Sequence, residues 1–191
     1  MAATRAASLL GAAALALVLI VAALLVSLVL GTAAERIMTV FLINLIAVLG
    51  IGVYSGNSGI LSFGHVAFMG IGAYASALLT MPSALKQATL PNLPAWLAAL
   101  QVDLWPALGL TLVFVGVIAL AVGLPIARLA GSAAAIATLG LLVIVHSVLI
   151  GAKDFTRGSQ SFFGVPRATT LGAALTLAVV ALVVARPTWA A

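Results

Sequence analysis

No cysteine occurs in the 191 residues, which removes disulfides, thiolate metal sites and cysteine nucleophiles together. Charge is nearly as scarce. Eight Lys/Arg and three Asp/Glu make up 6% of the chain, against 65% hydrophobic residues and a mean hydropathy of +1.37. Soluble domains carry about a quarter charged residues, so this is the composition of an integral membrane protein. The net charge of +5 does not point to nucleic acid, because the basic residues are scattered singly and not gathered on one surface. They punctuate the apolar runs and read as membrane-edge anchors. Neither lysine, Lys86 or Lys153, follows a glycine, as a P-loop requires, so that route to ATP hydrolysis is closed.

What remains between the punctuation marks is a set of about six apolar spans, near 9–30, 37–54, 65–81, 106–127, 132–150 and 171–185. The fold class expected is therefore all-α, a polytopic membrane protein of about six transmembrane helices. The first span, about 22 residues, reaches roughly 33 Å as a helix and is too long for the core of a secretion signal. No Asp, Glu, Lys or Arg lies inside any of the six, whereas ion-coupled carriers place ionisable groups at membrane depth. Energy for uphill transport must then come from a partner. Residues 82–105 and 151–170 are long enough to form extramembrane loops. Pro82, Pro91 and Pro94 break helices in the first, and Trp96 and Trp105 suit the headgroup layer. The second ends in a Gly-Val-Pro turn at 164–166.

The segment YSGNSGILSFGHVAFMGIGAYASALLTM at 54–81 is polar and uncharged, and glycines break it between the second and third spans. Such backbone is tolerated at membrane depth only where it is buried in protein or lines a cavity. Asn57, Ser58, Ser62 and His65 are the candidates for lining a substrate passage, and a solvated turn is the alternative. Gly64, Gly70, Gly72 and Ser76 are candidates for close helix packing, with Gly72 and Ser76 a small-xxx-small pair. His65 also suits a helix-capping or bridging role, and His146 an interhelical hydrogen bond. Gly56-Asn57-Ser58-Gly59 fits the short pattern of rhomboid-type intramembrane serine proteases, with His146 as the base it would need. Four residues with one wildcard carry little weight.

The run at 44–79, NLIAVLGIGVYSGNSGILSFGHVAFMGIGAYASALL, resembles the amino-terminal signature of the LivH/LivM family, membrane subunits of ABC importers for branched-chain amino acids. Ser62, Gly64, His65, Phe68, Gly70, Gly72, Ala73 and Tyr74 fall in step with that signature. Two more pieces agree in order: AAAIATLGLLVIVHSVL at 133–149 and FTRGSQSFFGVPR at 155–167. The long 82–105 insertion favours the LivM branch. The resemblance implies a single permease domain over 1–191, incomplete at its carboxyl end, because the chain stops where the family's cytoplasmic docking segment begins. It implies a bacterial inner-membrane location with a cytoplasmic amino terminus, although the basic residues count five to three for the opposite orientation. The partners implied are a second, LivH-like permease subunit, two ATP-binding subunits, a periplasmic substrate-binding protein and the lipid bilayer, without nucleic acid.

No catalytic residue, metal or cofactor of its own is implied; the partner subunits use the ATP. Thr156, Arg157, Gly158, Ser159 and Gln160 correspond to the loop that faces the binding protein. That loop departs from the family's usual Thr-Gly-Gly pattern at Arg157, which leaves substrate preference open. Related permeases for urea, short amides or other amino acids share the architecture. A non-transporting assembly protein is the alternative of another class.

Overall fold

In the computed structural model, residues 2–60, 62–129, 131–160, 165 and 169–185 are described, the side chains of 2–9 excepted. The described residues form nine helices and no strand: α1 (Ala2–Val29), α2 (Gly31–Ser58), α3 (Gly64–Thr80), α4 (Ser83–Thr89), α5 (Ala95–Ala99), α6 (Leu104–Ile126), α7 (Ser132–Gly151), α8 (Lys153–Thr156) and α9 (Leu171–Ala185). Each of the six expected spans is helical. Leu10–Val29 of α1, together with α2, α6 and α7, is long and apolar enough to cross a membrane. α3 and α4 pass the same test only as a pair, and the axis turns by 117° between them. At that angle α4 leaves the line of α3, as in a broken span or a re-entrant loop. α9 has 15 described residues, roughly 22 Å of helix, short of a hydrocarbon core of about 30 Å.

The chain divides into two compact units, residues 1–60 with 169–191, and residues 61–168. In the first, α2 packs against both α1 and α9. Leu42 is fully buried against Ala174 and Ala178, with Leu19, Met38, Ile46, Leu171 and Leu175 around them. Ala174, Ala178 and Leu182 recur every fourth residue and are all buried, so two of every three contacts on this stripe of α9 are small. Small residues at that spacing let helix backbones approach closely, which drives association where lipid supplies no hydrophobic force.

α2 continues four residues beyond the end expected at Tyr54. Gly56 sits within it, and Gly59 caps it in the left-handed conformation, its N–H donating to Ser55 O at 2.9 Å. The glycine break is thereby confined to residues 59–63. A single glycine costs about 1 kcal/mol in a helix, which a long packed helix absorbs.

In the second unit α3 packs against α6 and α7, and the contacts run through its glycines. A β-carbon on Gly64 would stand 3.6 Å from both Thr138 Cβ and Leu141 Cδ2, and one on Gly70 would stand 3.3 Å from Leu149 Cδ1. On Gly72 it would meet Val115 and Thr111 of α6 at 3.7 and 3.8 Å. α4 and α5 close a small apolar cluster of Leu90, Leu93 and Ala98 over Leu78 and Leu97.

Lys86 corrects a sequence expectation. It is not a membrane-edge anchor but is fully buried, its ammonium donating to Leu100 O and, at 3.3 Å, to Leu97 O. Carbonyls at the end of a helix have no intrahelical donor, and a lysine is well suited to supply one. Burial lowers its pKa from the usual lysine value, because desolvation penalises the charged form. The Gly-Val-Pro turn at 164–166 falls, apart from Val165, outside the described residues.

Candidate substrate-binding region

Two regions carry the predicted site residues, the break after α2 and the turn after α7. Asn57 and Ser58 end α2, in the first unit, and both are exposed. Ser58 Oγ donates to Tyr54 O at 2.8 Å and accepts the N–H of Ile60 at 3.2 Å, an arrangement that satisfies groups freed where the helix stops. A hydroxyl so engaged is not presented as a nucleophile, and the protease pattern at 56–59 reads as a helix end.

Ser62 and His65 are half-buried in the second unit. There the break is tied down by a residue that motif reading left unassigned. Thr138 is buried, accepts the N–H of Phe63 at 3.2 Å and donates to Ala135 O at 2.9 Å. This threonine is the polar member of the Ala-Ile-Ala-Thr-Leu run at 135–139. A threonine between Ala137 and Leu139 within an apolar stretch of helix was the available signal, since such a residue needs a partner across the interface.

The turn after α7 is built around Thr156, which is 3% exposed. Its hydroxyl reaches Leu149 O and Ala152 O and accepts the N–H of Gly158 at 3.2 Å. Arg157 and Gly158 both take positive φ, 61° and 64°, which folds the chain back on the end of α7. Gly158 is buried; Ser159 and Gln160 are exposed. Asn92 Nδ2 donates to Asp154 Oδ1 at 2.9 Å, so the 82–105 connection and this turn meet on one side of the unit.

Folding back in this way borders an open cleft of about 430 Å³ lined by Tyr74, His146, Leu149, Ile150, Gly158, Ser159 and Gln160. Tyr74 lies one turn beyond Gly70, whose close approach to Leu149 fixes the spacing of α3 and α7 there. His146 is exposed at the cleft. None of these lining residues is charged. Among the described residues, no group of three or more His, Cys, Asp or Glu side chains gathers to hold a metal ion.

The family described as "Branched-chain amino acid transport system / permease component" matches residues 33–189. Relatives from two bacteria carry the name "High-affinity branched-chain amino acid transport system permease protein LivM". That of Escherichia coli (strain K12) is 30% identical over 136 residues, and that of Salmonella typhimurium (strain LT2) is 31% identical over 136 residues. In both, the match covers 71% of this chain and 28% of the relative, so the chain spans well under half the length of either. No solved structure matches. With the family signature covering both the broken segment after α2 and the turn after α7, the chain belongs to the family of branched-chain amino acid transport permease components.

Proposed function

We propose that the chain is a permease component of an ATP-driven importer for branched-chain amino acids in the bacterial inner membrane. The family match over residues 33–189 is the observation that carries this reading. It supports a transporter subunit in preference to an enzyme. A periplasmic binding protein delivers the amino acid, a second permease subunit completes the passage, and two ATP-binding subunits drive alternating access. The chain's own part is wall and packing.

In this reading Asn57, Ser58, Ser62 and His65 line or support the passage, and the turn at 156–160 faces the binding protein. The neutrality of the apolar spans supports it. A zwitterion crosses without a fixed counter-charge if hydroxyls, amides and backbone groups replace its water, whereas a bare charge there is costly. The amino terminus is then cytoplasmic, and 82–105 and 151–170 are outside.

Uptake of labelled leucine by the full-length transporter tests the assignment of the passage. Asn57→Ala with Ser62→Ala is expected to lower uptake at least fivefold at equal membrane abundance. Unchanged uptake removes both residues from the passage.

A further inference from the structure

The cleft of about 430 Å³ at the end of α7 has features that helix packing alone does not require. Its volume falls within the roughly 300–1,000 Å³ of small-molecule sites. It brings α3 and α7 together with a turn whose shape is held from within, by Thr156 and by two successive residues of positive φ. The walls therefore do not depend on a ligand for their form. A binding region that is largely preformed loses less free energy to ordering when it is filled.

The lining is chemically divided. Leu149 and Ile150 are aliphatic, whereas Tyr74, His146, Ser159 and Gln160 carry neutral groups that both donate and accept hydrogen bonds. A ligand with net charge would be desolvated here without a counter-ion among these residues, which is unfavourable. A zwitterion has no net charge, and neutral dipoles can serve its ammonium and carboxylate ends at once. The aliphatic pair then receives an apolar side chain. His146 stands five residues before the end of α7, roughly 7.5 Å along the axis, so the cleft lies near the membrane face from which residues 151–170 emerge.

We propose that this cleft is an entry subsite for a neutral amino acid with a branched aliphatic side chain, held by its polar ends at Tyr74, His146 and Gln160 and by its side chain on Leu149 and Ile150. The proposal rests on the permease reading above and deepens it by assigning a place where the amino acid first lodges. It adds Tyr74 and His146, from α3 and α7, to the substrate's contacts. Ser159 and Gln160 then touch the amino acid itself as well as facing its delivery protein.

The absence of cysteine makes a direct test available. Ser159→Cys and Gln160→Cys are each introduced into the full-length transporter in membranes without ATP. Their labelling rates with a water-soluble maleimide are read with and without millimolar leucine. Gln87→Cys serves as control, being exposed on the 82–105 connection and absent from the lining. Leucine and isoleucine are expected to slow labelling at 159 and 160 at least threefold, arginine and glutamate less than 1.5-fold, and none of them at 87. Ile150→Trp, which fills the aliphatic wall, is expected to abolish that protection while Ser159→Cys still labels.

Equal rates with and without leucine at both positions overturn the subsite, as does failure of both to label. Leucine uptake by the parent without an added cysteine, measured in the same membranes once ATP is supplied, separates the two claims. Uptake without protection sinks the subsite and leaves the permease reading intact; protection without uptake does the reverse.

Discussion

Gly158 and Gly59 both sit at positive φ, 64° and 65°, yet alanine meets different surroundings at the two positions. At Gly59 nothing lies within 4 Å of a β-carbon, so the substitution bears only the left-handed backbone penalty, about 1 kcal/mol. At Gly158 the new carbon would stand 3.0 Å from Ile150 O, a backbone atom that cannot rotate away. Gly158→Ala is expected to cost about 2–3 kcal/mol in all, read as a larger fall in the thermal midpoint of the detergent-solubilised protein than Gly59→Ala produces. Equal falls would show that the turn shifts freely.

Lys86 gives a pH dependence of definite sign. Its folded pKa is lowered by burial, so between that value and the usual lysine value of about 10.4 the unfolded chain holds a proton that the folded one releases. Stability from this group therefore rises with pH through that window and is flat below it. The neutral amine still donates to Leu97 O and Leu100 O, so the helix-end contacts survive deprotonation. Thermal midpoints of the native protein relative to Lys86→Met are expected to rise on going from neutral pH towards the lysine range. A constant difference would contradict the buried-lysine account.

α3 is the element through which the second unit is held, because its glycines admit Leu149, Thr138 and Thr111 at contact distance. Gly70→Leu is expected to separate α3 from α7 and destabilise by about 1–3 kcal/mol, as overpacking does. Gly56→Ala in α2, with nothing within 4 Å, is expected to be neutral or to stabilise by up to about 1 kcal/mol. Comparable unfolding midpoints for the two variants would refute the packing role of α3.

These elements were readable because charge, proline and glycine interrupt the apolar runs so plainly that all six helical stretches could be placed. The extension of α2 through Gly56 was not. Glycine content marks a helix as costly but does not say whether tertiary packing offsets the cost. Nor could the sequence show Lys86 in its place, since the carbonyls it meets belong to α5 and to the residue that caps it, 11 and 14 residues further on. Tyr74, His146 and Gln160 lie far apart in the chain and share a cleft only after α3 and α7 pack.

Taken together, the neutral apolar helices, the break tied to Thr138 and the cleft bordered by the Thr156 turn are the features on which the proposed passage would draw. Membership of the permease family, and not any single side chain, carries the functional reading. Resemblance in sequence reached that family because its signature residues are small and polar ones that packing and backbone satisfaction demand. The amino acid carried was less legible, since the loop that departs from the family pattern at Arg157 is itself a wall of the cleft. The most direct measurement is initial uptake of labelled leucine by native cells, by cells lacking the gene that carries this chain, and by cells in which it is restored. High-affinity uptake that vanishes on removal and returns on restoration is the predicted result; uptake indifferent to the chain's presence contradicts it.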